Sequence, residues 1–195
     1  MRIAGCCTLA AVAALAALAL AAPAPAAATW TIENGSAIRF TAYQEGAPVD
    51  GGFGAFSGEI VFDPDDLAAS RVAIEIDTAS VATGHKDRDA TLRSSAFFDV
   101  ETWPSAAFVS DRLLHQGGDR YEAQGQLTIR DVTRDVVLPF ELTIDPDGDR
   151  QRAHARGELT ISRLDYGIGQ GEWASTRTVG EDVVIRIEIA ASASR

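Results

Sequence analysis

The sequence predicts an all-β fold: eight antiparallel strands closed into a barrel, with one short helical segment in a loop around residues 85–98. Three observations carry this. Apolar and polar residues alternate with period two through most of the chain, as they do along strands with one buried face. Clusters of turn-forming residues separate the runs at Asp63-Pro64-Asp65-Asp66, Gly117-Gly118-Asp119 and Asp145-Pro146-Asp147-Gly148. The runs number eight, enough for a sheet to close around a lumen that holds side chains or one slim ligand.

Taken in order, the chain of 195 residues begins with Arg2 and an apolar run from Ile3 to Ala22. Pro23-Ala24-Pro25 breaks that run, and Ala26-Ala27-Ala28 supplies small residues. This is the layout of a cleaved secretory signal. The expected domains are therefore a signal peptide, 1–28, and a barrel domain, 29–195. The first strand alternates at Ile38, Phe40 and Ala42, the second at Phe56, Gly58, Ile60 and Phe62, the third at Val72, Ile74 and Ile76. Val81–Trp103 lacks a strand pattern and has room for a short helix near Asp87–Ser95. A less regular strand starts at Phe108. The next alternates at Tyr121, Ala123, Gly125, Leu127 and Ile129, and the sixth from Val136 to Ile144. The last two run from Ala153 to Ile161 and from Val183 to Ile189, separated by the glycine-rich stretch Tyr166–Gly180. The span Gln44–Asp50 reads as a loop.

Charge narrows the function. The chain has 28 acidic and 17 basic residues, a net charge of −11. A nucleic-acid binder needs a basic footprint, and an anionic membrane surface attracts one; neither is present. Both cysteines, Cys6 and Cys7, lie in the leader, which leaves the exported chain without a disulfide, thiolate ligand or cysteine nucleophile. His85, His115 and His154 stand at no metal-ligand spacing, and no cofactor is called for. An outer-membrane barrel would turn apolar residues outward between aromatic girdles; here the strands are short and tyrosines number three. No stable membrane insertion is expected.

No catalytic set is evident. His85-Lys86-Asp87-Arg88-Asp89 reads either as a general base oriented by a carboxylate or as a solvated helix start whose carboxylates complement the dipole. The loop aromatics Phe53, Phe97, Phe98, Trp103 and Trp173 read either as a lid over the barrel mouth or as plain packing of long loops. The small residues Ala42, Gly58, Ala123, Gly125, Ala153, Ala155 and Gly157 read either as room left in the lumen or as relief of crowding between strands.

One ordered set of motifs goes further. It runs Ser36-x-Ile38-x-Phe40, Gly52-Phe53-x-x-Phe56-x-Gly58, Arg88-Asp89-x-x-Leu92, Phe97-Phe98-Asp99 and Trp103-Pro104-x-x-x-Phe108. It continues through Tyr121-x-x-x-Gly125-x-Leu127-Thr128-Ile129 to Arg163-x-Asp165-Tyr166-Gly167-Ile168. This set resembles the YceI-like family of periplasmic polyisoprenoid-binding proteins, over roughly Trp30 to Ile189. The resemblance implies a lipocalin-like barrel whose lumen holds a long-chain isoprenoid or similar amphiphilic lipid, such as a quinone, with no enzymatic step. Gly35 stands where members of the family often carry histidine, and Gln44–Asp50 and Gly169–Trp173 resemble a subgroup.

Alternation and the resemblance together place Phe40, Phe56, Ile60, Ile74, Leu127, Phe140 and Ile187 on the lining, with Phe97, Phe98 and Trp103 near the mouth. The expected role is carriage, storage or sequestration of the lipid in the periplasm. A ligand of about 40 non-hydrogen atoms at roughly 0.3 kcal/mol each would reach nanomolar affinity. An enzyme acting on a lipid at the mouth through His85, Asp87 and Asp89 is the rival reading, and a homodimer stays open.

Overall fold

The computed structural model describes residues 27–194; all but the last two residues of the expected signal peptide lie outside them. Eleven strands form one antiparallel sheet. They are β1 (Ala28–Ile32), β2 (Ala37–Gln44), β3 (Ala47–Phe53), β4 (Phe56–Phe62), β5 (Arg71–Asp77), β6 (Val81–Ala82), β7 (Ser105–Gly117), β8 (Arg120–Ile129), β9 (Val132–Asp147), β10 (Arg150–Ser162) and β11 (Asp182–Ser194). Eight of these close into a ring in the order β1-β4-β5-β7-β8-β9-β10-β11, sealed by Thr31 opposite Ser192.

The eight-stranded barrel is therefore present, but one of its members differs from the expected eight. The strand at Ile38–Ala42 exists as β2 and does not shut the ring; β1 does, pairing Trp30 with Ile60 of β4. Both β1 and β2 pair with β11, β1 near Ala191 and β2 near Ile187. They are two halves of one position, separated by the turn at Glu33–Ser36. That turn is held by the Ser36 hydroxyl, which donates to the Glu33 carbonyl at 2.8 Å. Beyond β2 the sheet continues outward into β3 and β6. The Gln44–Asp50 loop is corrected accordingly: it is a tight turn at Glu45-Gly46 leading into β3. Pro48, Gly51 and Gly52 hide this strand in the sequence, since proline and glycine are poor strand formers. At Gly51 the absent side chain makes room for the Phe40 ring, which lies against its backbone.

The pleat sorts the residues as alternation predicts. On β9, Val136, Leu138, Phe140, Leu142 and Ile144 are half-buried and turn inward, while Val137, Pro139, Glu141 and Thr143 are exposed. The outer surface carries ion pairs such as Arg71–Glu59 at 2.8 Å and Arg186–Glu158 at 2.7 Å. Charge outside and apolar residues inside is the reverse of a lipid-facing barrel. No helix among the described residues is long and apolar enough to cross a membrane.

The two ends of the barrel differ. At one end short turns join the strands, and Trp30, Phe62, Leu113, Ala191 and Ala193 form a buried cluster. At the other end sit the two long connections. One holds helix α1 (Lys86–Arg93). The other runs from Arg163 to Gly180 and contains two short 3-10 turns. A second cluster, around Phe97, Phe108, Leu127, Tyr166 and Ile168, packs beneath them.

Candidate functional site: an apolar lumen with a polar rim

Inward-facing side chains alternate along every strand of the ring, so a site inside the barrel is built by the fold itself. They leave a cavity of about 560 Å³ between the two clusters, within the range of small-ligand sites. Of the expected lining residues, Phe40, Ile60, Ile74, Leu127, Phe140 and Ile187 stand in its wall, as do Phe97 and Phe98. Phe56 and Trp103 do not. Phe56, the first residue of β4, is half-buried at its edge. Trp103 lies under the Arg130 guanidinium, 4.4 Å from the ring centre, and its carbonyl accepts the Thr78 hydroxyl at 2.9 Å. Its work is to pin the long loop to the sheet.

The small residues split between the two explanations. Ala42, Ala123, Ala153 and Ala155 belong to the cavity wall and leave room in it. Gly58, Gly125 and Gly157 do not. A Cβ on Gly125 would run into the carbonyl oxygen of Val109, and one on Gly58 into that of Ala73. These glycines let neighbouring strands approach closely where the barrel coils.

The loop aromatics pack and cover at once. Phe97 is 5% exposed and belongs to the inner cluster. It meets Trp173 at 5.7 Å between ring centres, and Phe53 meets both Phe40 and Phe98, at 5.9 and 5.7 Å. The two long loops are also tied together. The amides of Gly169 and Gln170 donate to the Ala96 carbonyl, and Arg130 donates to the carbonyls of Phe97 and Gly167. They form a fixed cap over part of the barrel end.

Arg163 holds that cap in shape. It is 2% exposed. Its Nε donates to the Gly180 carbonyl, one terminal nitrogen to Ile168 and Gly169, and the other to Trp173 and Val179, at 2.7–3.0 Å. Burial pushes its pKa below the ordinary arginine value, while Glu181 acts in the opposite sense. The sequence shows this residue only as a lone cation between a strand and a glycine-rich stretch; its five backbone partners are scattered from Ile168 to Gly180 and carry no side-chain signature. Trp30 was missed for another reason: a strand of only five residues gives alternation nothing to work with.

Exposed side chains in the wall mark where the cavity reaches the surface. Arg39, Tyr43, Gln44, His85 and Asp87 are exposed, Arg39 within β2 and paired outside with Glu188, and Arg88, Thr91 and Leu92 are half-buried beside the last two. The rim is thus formed by the β2–β3 hairpin facing α1. Asp89 is committed elsewhere, accepting from the amide and hydroxyl of Thr83, both at 2.7 Å. The Thr83 hydroxyl is the main cause that holds the Asp89 carboxyl below the usual range; desolvation opposes it, and the Thr83 amide and Arg93 add to the lowering. His85 makes no capping bond with its side chain. Asp89 is thus engaged by Thr83 rather than His85, and Asp87 and Asp89 stand in the first turn of the helix. No three His, Cys, Asp or Glu side chains cluster as a metal site among the described residues.

The sequence profile of the YceI-like domain matches residues 30–191. A UPF0312 protein of Vibrio cholerae is 34% identical over 123 residues, 62% of this chain and 65% of that protein, so the match spans just under two thirds of the relative. Among solved structures, Burkholderia cenocepacia BcnA is 32% identical with a TM-score of 0.73, covering 80% of this chain and 95% of the other. A polyisoprenoid binding domain from Saccharophagus degradans, described as implicated in plant cell wall breakdown, shares the fold with a TM-score of 0.64 at 15% identity. That match covers 84% of this chain and 98% of the other.

Proposed function

This chain belongs to the YceI-like domain family, and from that premise we propose that it is an exported periplasmic protein that binds an isoprenoid or similar amphiphilic lipid without transforming it. The observation that carries this reading is the lumen: a cavity walled by aliphatic and aromatic side chains, meeting solvent at a polar rim. The tail of an amphiphile gains by leaving water, at about 25 cal/mol per Å² of apolar surface, and its head stays at the rim.

The rival, a lipid enzyme at the rim, gets no support from Asp89, which is engaged by Thr83.

Native mass spectrometry of protein purified from its own periplasm, with organic extraction of the same sample, tests the proposal. The expected result is one lipid per chain, recovered chemically unchanged. Repeated isolation of protein free of any apolar molecule, together with failure to take one up in vitro, would overturn it.

A further inference from the structure

We propose that Asn34-Gly35 is a site of spontaneous covalent modification, where an asparagine closes on the next main-chain amide and so ages the seal of the barrel. Asn34 is the one asparagine of the chain, and glycine follows it. A carboxamide is a weak electrophile, and a main-chain nitrogen is a weak nucleophile. They react when the second residue has no side chain to hold them apart and when neither is tied down. Both conditions hold here. Asn34 is exposed, and at Gly35, with φ at +97°, the space a Cβ would take is open. Glycine also moves between conformations that other residues cannot reach. Among the described residues, neither the Asn34 carboxamide nor the Gly35 amide makes a hydrogen bond.

The flanks, by contrast, are fixed. The Glu33 amide donates to the Ala190 carbonyl at 2.8 Å, and the Ser36 hydroxyl accepts the Ala190 amide at 3.0 Å. The pair is the untied middle of a turn clamped at both ends to β11. The clamp adjoins Ile32 opposite Ala191 and Thr31 opposite Ser192, the pairing that seals the ring.

The reaction needs only water. The Gly35 nitrogen gives its proton to hydroxide and attacks Asn34 Cγ. The N–Cγ bond forms, the Cγ–Nδ2 bond breaks, and ammonia leaves with a proton from water, which restores the hydroxide. Water then opens the five-membered succinimide at either carbonyl, giving aspartate or isoaspartate. Both products add one negative charge. Isoaspartate also routes the main chain through Cβ, which puts one more atom between Glu33 and Ser36. A turn held at both ends has no slack for it, so the bonds to Ala190 give way. Other candidates are poorer. Gln116, Gln124 and Gln170 precede glycine, but glutamine must close a six-membered ring. Asp50 and Asp147 precede glycine too, but a carboxylate repels the nucleophile. Both are also engaged, Asp50 by the Thr41 hydroxyl at 2.6 Å and Asp147 by Arg152 at 3.0 Å.

The experiment ages the purified protein in mildly acidic and mildly alkaline buffer, then maps its peptides by mass spectrometry with electron-transfer fragmentation, which separates isoaspartate from aspartate. The expected result is a gain of one mass unit in the peptide carrying Asn34, faster in alkali, with isoaspartate among the products. Ion exchange isolates the more acidic aged fraction. It should melt about 2–4 °C below fresh protein, the shift that loss of one net hydrogen bond gives a chain of this length. Asn34→Gln should keep its mass and its melting temperature through the same ageing. Asn34→Asp, which adds the charge without the extra atom, should melt above the aged fraction. Unchanged mass at Asn34, under ageing that deamidates a synthetic peptide of residues 31–37, overturns the site. An aged fraction that melts with fresh protein, or an Asn34→Asp variant that melts as low as the aged fraction, overturns the effect of the added atom on the seal.

Discussion

Replacing Arg163 by methionine should unfasten the cap over the barrel end. The guanidinium donates to five carbonyls of the segment that follows it, at 2.7–3.0 Å. It does so while 2% exposed. Hydrogen bonds from a charged donor are worth about 1.5–3 kcal/mol each, but five on one side chain are not independent. Breaking a buried charged network by removing one partner costs about 3–5 kcal/mol. A domain of this size is stable by about 5–15 kcal/mol, so the loss is a large share of the whole. At about 2–4 °C per kcal/mol for chains of this length, the melting temperature should fall by about 10 °C or more. Arg163→Lys should recover little of it, because one ammonium with three donors cannot span five carbonyls set around a planar fork. Differential scanning calorimetry of the three proteins measures this. A methionine variant melting within about 3 °C of wild type, or a lysine variant matching wild type, would refute the assignment of Arg163 as the organiser of the cap.

Four further outcomes follow from other parts of the fold. Ala123→Trp fills the lumen from the middle of β8, where Ala123 is 3% exposed; the variant should fold and lose most of its co-purified lipid, whereas Gln124→Trp, on the outer face, should keep it. Gly125→Ala should destabilise by about 1–3 kcal/mol, because the new methyl meets the Val109 carbonyl; chemical denaturation reads this directly. Asp89 should titrate below the model-peptide value of about 3.9 in carbon-13 NMR, and Thr83→Val should raise it. Since the folded pKa is the lowered one, the bonds from Thr83 stabilise above the unfolded value and are lost as pH falls through the folded one, so acid resistance should drop in the Thr83 variant. The exported chain should begin within about two residues of Thr29, as peptide mass mapping of its N-terminus would show.

Alternation read the barrel well wherever a strand had one wet face and one dry one. Val136 to Ile144 and Ala153 to Ile161 are in the places the pattern gives them, and six of seven strand-borne lining residues stand in the cavity wall. It failed where the local signal was weak. The strand β3 carries Pro48, Gly51 and Gly52, and β1 is too short to show a period. Neither could be seen without its partners, β2 and β11. Trp103 is absent from that wall for a related reason: a tryptophan in a loop announces burial but not which side of the sheet buries it. Here a cation, Arg130, captures it on the way. The split between alanines that line the lumen and glycines that relieve crowding depends on where a neighbouring carbonyl lies, and composition holds no record of that.

The last strand has three partners, β10, β1 and β2, and this sets the order in which the molecule can come into being. While β11 is unmade, β1 can pair only with β4, and the cylinder is a curled, open sheet. Pairings between distant parts of a chain form late and slowly, because a long loop must be closed before they give anything back. A chain stopped before Asp182 would carry nearly all the lining residues yet lack the closed lumen, so under the lipid-binding proposal cargo is loaded onto finished molecules. Loading after closure also ties cargo to kinetic persistence: a molecule that binds only the closed ring favours it by mass action, and slows the reopening of the one seam on which the whole interior depends.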